Sequence, residues 1–125
     1  MKLICIGIDQ IKREFDICIT VTEDGYAYFE AYYESKTYGF FELVLEPKLD
    51  GSYMVKWMNA DGYRKFGIPE AIIPFAAAHL STVIHSSPSY DGNNYRIPEA
   101  TKAWERIVKA GRAVYNREAD TFRTR

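Results

Sequence analysis

Apolar and polar positions change their period near the middle of the chain. Residues 3–8 form a short apolar run bounded by polar residues, which predicts a strand. Residues 15–22 are rich in β-branched side chains and alternate in part. Asp24-Gly25 follows, a hairpin-turn dipeptide. Residues 26–34, 40–46 and 53–58 read as three further strands, with Pro47 and Asp50-Gly51 punctuating the last gap. Five strands joined by short turns predict an antiparallel meander.

The second half repeats at helical spacing. Ile68, Ile72, Phe75, Ala76, His79 and Leu80 make one stripe. Pro69 suits a first helical turn. Pro74 does not suit an interior one, where it removes a hydrogen bond and costs about 3 kcal/mol. The expectation is a helix kinked at Pro74 or starting properly only near it. Residues 82–85 then read as a strand and residues 86–94 as a loop. Ala100, Ala103, Trp104, Ile107 and Val108 define an apolar face on a helix over residues 98–110. Gly111 is placed to close that helix. Lys102, Arg106 and Lys109 share another face, read as solvated. Residues 113–115 and 121–123 predict a closing hairpin. The fold class is therefore α+β: a largely antiparallel mixed sheet with two main C-terminal helices. Residues 1–125 read as a single domain, with antiparallel strands over 1–58 and the mixed part over 59–125.

Composition sharpens this picture at one point. Aromatic residues make up 15% of the 125 residues, which excludes a disordered chain. Eight of the aromatics fall between residues 26 and 41, on both faces of the expected strands. One face packs on the helices; the other lines a cleft, a partner or solvent. No apolar run approaches the roughly 20 residues that span a bilayer, so no membrane partner is expected. The N-terminus reads as a buried strand rather than a signal peptide. Cys5 and Cys18 sit in apolar runs without a CxxC and read as free thiols of a cytoplasmic protein. The net charge is −1, but residues 96–125 hold 8 basic against 4 acidic residues. Nucleic acid ranks low as a partner, because the chain as a whole is slightly acidic.

The candidate chemistry lies between the fifth strand and the first helix, in Asp61-Gly62-Tyr63-Arg64-Lys65-Phe66-Gly67-Ile68-Pro69. A strand entering a turn with Arg and Gly, then a helix N-terminus, suits a phosphate. Gly67 would let the backbone approach a ligand closely. Here the chain resembles the GNAT superfamily of N-acetyltransferases, whose acyl-CoA loop commonly reads Arg/Gln-x-x-Gly-x-Gly/Ala. The order helix, strand, helix and strand pair after the loop is also similar, so the resemblance covers residues 53–125. It implies acetyl-CoA as cofactor, with Arg64, Lys65, Phe66, Gly67, Ile68 and Glu70 around its pyrophosphate. It also implies backbone donors near Met58 for the developing oxyanion. Arg64 and Gly67 match the motif. Pro69 replaces a Gly or Ala and has no N–H to donate.

The catalytic residues remain unassigned. The strand before the loop, residues 53–59, lacks the carboxylate that many members place there. Trp104 stands where many have a proton-donating Tyr. Tyr115, His79 and His85 are the available substitutes. Residues 9–14 leave no room for the two helices that usually build the acceptor site. No metal site is expected from two isolated histidines. Ser81, Ser86, Ser87 and Ser89 surround His85 without a Gly-x-Ser-x-Gly elbow. Asp9, Glu14 and Asp16 read as solvated turn and edge residues.

Two functions follow. One is an acyl-CoA-dependent N-acetyltransferase acting on a small-molecule or protein amine. The other is a non-catalytic binding or structural protein on a degenerate GNAT-like fold. It would be phage-encoded and would use its aromatic strands against a protein partner or itself. The discriminating feature is whether the strand after Lys56 splays from the strand near Thr82.

Overall fold

Alternation of buried and exposed side chains runs through the first strands of the computed structural model, which describes residues 1–34, 39–60, 65–88 and 96–125. Strand β1 (Lys2–Ile6) buries Leu3 and Cys5 and exposes Lys2, Ile4 and Ile6. β2 (Lys12–Val21) buries Phe15 and Ile17. β3 (Ala27–Tyr32) buries Ala27, Phe29 and Ala31, and β4 (Phe41–Pro47) buries Phe41, Leu43 and Leu45. β5 (Tyr53–Ala60) follows. These five strands pair antiparallel in sequence order, the meander expected from the turns. Gly25, at φ 89°, occupies the left-handed position of the first long hairpin. Tyr38 of the aromatic cluster lies outside the described residues.

β5 carries an irregularity that its sequence does not announce. Leu45 pairs with Val55 and Val44 with Trp57, so Lys56 is an extra residue without a partner on β4. Such a bulge bends its strand and increases the local twist.

Helix α1 (Ile68–Leu80) then carries the chain across the sheet to β6 (Ile84–His85). α1 starts at Ile68, with Pro69 in its first turn, and runs through Pro74. Pro74 forfeits its bond to the Glu70 carbonyl at about 3 kcal/mol. Ile72, Ile73, Ala76 and Ala77 around it are buried, and each large apolar side chain gains about 1.5–3 kcal/mol there. Burial outweighs the lost bond, so the helix is not postponed to Pro74.

Helix α2 (Pro98–Lys109) follows, then β7 (Ala113–Asn116) and β8 (Thr121–Thr124). Gly111, at φ 79°, closes α2 as its spacing predicts. Its N–H bonds the Val108 carbonyl and the Arg112 N–H bonds the Ile107 carbonyl.

All eight strands share one sheet, in the order β1-β2-β3-β4-β5-β6-β8-β7. The β5–β6 pair is parallel, as a helical crossover allows, and the other pairs are antiparallel. The architecture is therefore α+β with a mixed sheet. α1 touches β1, β3, β6 and β8, so the sheet curves around it. One cluster joins Phe15, Phe29, Leu43 and Ile84 from the sheet to Ile72 of α1 and Trp104 of α2. Both helices cover the same face. The other face presents Ile4, Ile6, Tyr28, Tyr32 and Trp57, with Val44 buried between Tyr28 and Trp57, and no described helix covers it.

Candidate functional site

The β5–β6 pair separates early. Register holds at Tyr53↔Ile84 and Met54↔His85 and ends there, while β5 continues to Ala60. From Ser86 onward the chain bonds β8 instead: the Ser86 N–H donates to the Phe122 carbonyl at 2.9 Å. β5 beyond Met54 therefore lacks a β6 partner, and its bulge at Lys56 falls on that stretch. Met58 is half-buried and packs against the core, whereas Trp57 is on the other face and donates from Nε1 to Glu42 Oε1 at 3.1 Å.

The expected phosphate loop leads elsewhere. Asp61, Gly62, Tyr63 and Arg64 lie outside the described residues. The segment after them is seated on β1 and β2. The Ile8 N–H donates to the Lys65 carbonyl at 3.1 Å. Phe66 packs on Phe15, ring centroids 6.2 Å apart, with the Arg13 guanidinium 4.5 Å over its ring. A Cβ on Gly67 would lie 2.1 Å from the Ile6 carbonyl oxygen. The close approach that Gly67 permits is thus an approach of β1. Gly67 also sits at φ 76°, a conformation glycine adopts without strain. Ile68 is fully buried. Glu70 places a carboxylate in the first turn of α1 and pairs with Arg106 of α2.

These facts bear on whether a pyrophosphate fits. The helix dipole favours an anion at the start of α1, but Glu70 supplies one from within the chain. Pro69 has no N–H to give. The described residues of this helix start therefore fit the pyrophosphate of acetyl-CoA poorly. Lys65 to Glu70 are contiguous in space as in sequence, while Met58 reaches the same core from β5.

The other candidates separate. His79 stacks on Phe75 at 12° and meets Phe29 edge-on, on the covered face. Trp104 stacks on Phe122 in the core. Burial pushes the Cys5 thiol up to about 12, with the Glu70 charge adding to it. Asp9 pairs with Arg13 at 2.7 Å, and Asp16 pairs with Lys2, so these carboxylates do not converge. Among the described residues, no group of His, Cys, Asp and Glu is arranged to hold a metal ion. No described helix is long and apolar enough to cross a membrane.

Two polar clusters are not legible in the sequence. In the first, Ser52 Oγ lies 2.5 Å from Asp50 Oδ1 and 2.6 Å from His85 Nε2. Ser52 bonds hold the Asp50 carboxyl below its usual range, so Asp50 is ionised and accepts the serine proton. His85 Nε2–H then donates to Ser52 Oγ, which leaves Nδ1 without a proton in the neutral ring. Burial pushes the His85 pKa down; Asp50 opposes this, while Lys48 and Arg123 reinforce it. In the second cluster, Arg96 is nearly buried. It donates to Thr101 Oγ1 at 2.7 Å, the Ser87 carbonyl at 3.0 Å, and the Asp120 carbonyl and Oδ1 at 2.9 and 3.0 Å. It also lies 4.9 Å from the Phe122 ring centroid. A lone arginine after a polar loop carries no periodic signal, so only the tertiary structure reveals this hub. Ser89 and residues 90–94 of the expected loop lie outside the described residues.

No family model matches the chain, and neither a curated protein nor a solved structure shows significant similarity to it.

Proposed function

We propose that the chain is a non-catalytic binding protein on a reduced, GNAT-like fold, and that it meets a second copy or a protein partner through its uncovered sheet face. The seating of Gly67 against the Ile6 carbonyl carries this reading. It closes over the helix start where a cofactor phosphate would approach. The element order after β5 supports the fold relationship: helix, short strand, helix, strand pair. The missing carboxylate on β5 and the burial of Trp104 in the core argue against acid–base chemistry at the family's usual positions. The uncovered face supplies what an interface needs, with Trp57 and the tyrosines as large amphipathic anchors. Calorimetry with acetyl-CoA at about 1 mM, a concentration that reports even weak binding, is expected to give no heat. Light scattering is expected to show self-association that Trp57→Glu abolishes. A strict monomer that binds acetyl-CoA overturns the reading.

A second reading, acyl transfer from acetyl-CoA, is favoured by one observation. β5 runs on past the end of its pairing with β6 and is bulged there. Backbone N–H groups near Met58 would serve as the oxyanion donors. A saturable rise in melting temperature with acetyl-CoA supports this reading, and its loss on Met58→Pro ties the effect to that backbone.

A further inference from the structure

At the β7–β8 end of the sheet, a hollow of about 530 Å³ is lined by His85, Tyr115, Arg117, Glu118, Thr121 and Arg123. Two of its arginines lack a carboxylate partner, as Arg112 and Arg125 elsewhere among the described residues also do. Arg13, Arg96 and Arg106 each hold a carboxylate. Among the described residues, Arg117 and Arg123 hold none. The nearby Asp120 accepts from Arg96 and, at 2.6 Å, from the Tyr115 hydroxyl through Oδ1.

Register places these groups together. Arg123 on β8 pairs with His85 on β6 and with Val114 on β7. Ile84 and Phe122, the chain neighbours of His85 and Arg123, are both buried in the helix-covered core. His85 and Arg123 therefore share the opposite face, away from α1. Ser52 engages His85 Nε2, so Nδ1 is the nitrogen left over; it is an acceptor in the neutral ring and donates to an anion only when the ring takes up a proton. Thr121 adds a hydroxyl that can donate or accept.

We propose that this hollow binds a small molecule bearing a di- or triphosphate. Two forked guanidinium groups match phosphate oxygens in pairs, and the Thr121 hydroxyl can donate a further bond. The hollow contains no residue of the helix start, and its His85 and Arg123 lie on the other face, so the assignment does not depend on the fate of the acetyl-CoA reading.

The test follows imidazole resonances by NMR while the intact chain is titrated at low salt with inorganic pyrophosphate and, separately, with ATP. Saturable shifts are expected at His85 and not at His79, which is exposed on α1 and lines no part of the hollow. Arg117→Gln and Arg123→Gln are each expected to weaken binding about tenfold, the size of one charge-assisted contact. Arg112→Gln, at an arginine outside the hollow, is expected to change nothing. Equal affinity for both probes assigns recognition to the phosphates alone, and tighter ATP binding adds the nucleoside. The proposal is overturned if His85 does not shift saturably, if His79 shifts with it, or if Arg112→Gln weakens binding as much. Binding of a single-stranded oligonucleotide more than about tenfold tighter than ATP would assign the surface to nucleic acid and overturn the small-molecule claim.

Discussion

Gly67 illustrates how one residue is fixed by two constraints at once. Its φ of 76° disfavours any L side chain, and its missing Cβ leaves room for the Ile6 carbonyl. The second constraint is backbone against backbone, so no side-chain rotation relieves it. Gly67→Ala is expected to cost about 2–4 kcal/mol in urea unfolding, well above a surface substitution. A loss under about 1 kcal/mol would mean that β1 moves away freely, reopening the helix start to a ligand. Asp9 offers a test of electrostatics. The Arg13 guanidinium, helped by the Ile11 N–H, holds its carboxyl down at about 2 rather than 3.8. A carboxyl with a depressed folded pKa stabilises above its unfolded value and loses that effect as pH falls through its folded value. Asp9→Asn should therefore lower the melting temperature at neutral pH. The difference should shrink between pH values of about 4 and 2 and vanish below. A difference that persists at the acid end would assign the effect to something other than charge.

At the scale of elements, local signals and long-range ones part company. The end of α2 is legible because Gly111 can take the left-handed position and close the terminal carbonyls by itself. The strands are legible because residues 3–6 form a continuous short apolar run and Ala27/Phe29/Ala31 alternate with acidic or tyrosyl neighbours. The choice between a helix running from Ile68 and one postponed to Pro74 is not, because the burial that outweighs Pro74 comes from strands far away in sequence. Nor is the bulge at Lys56, which exists only relative to β4. The candidate loop shows the same divide. Its residues were identifiable as a turn before a helix, but nothing local says that β1 and β2 occupy its face. α1 ends on Ser81 at φ 54°, where glycine would be unstrained. Ser81→Gly is expected to stabilise the chain by about 0.5–1 kcal/mol in thermal or urea melts. Arg96 ties Ser87 and the start of α2 to the β7–β8 turn with one planar group. Lysine places all its donors on one nitrogen and cannot span these partners. Arg96→Lys should cost about 2–4 kcal/mol, measured the same way. A neutral result would show that Thr101 and Asp120 find other partners.

The whole molecule is a curved sheet with helices on one side, so its two faces should respond differently to the same truncation. Phe29 and Tyr28 are adjacent in β3 and point opposite ways. Phe29 is fully buried, edge-on to Phe75 and His79, and Phe29→Ala leaves a cavity among groups that cannot collapse far. That change should cost about 3–5 kcal/mol. Tyr28 faces the uncovered side, paired with Thr20 and Val44. Truncating it removes cross-strand contact but opens no cavity, so Tyr28→Ala should cost about 1 kcal/mol or less in dilute solution. Concentration separates the folding role of this face from its binding role. If a second copy covers the face, association stabilises the folded state by mass action, and more so as protein concentration rises. The cost of Tyr28→Ala should then grow with concentration while that of Phe29→Ala stays fixed. Urea midpoints measured across about two decades of protein concentration distinguish the cases. A Tyr28 effect that is small and independent of concentration would exclude self-association through this face. A large effect in dilute solution would mean that Tyr28 belongs to the core of the monomer, and the sheet would no longer have a free face to offer.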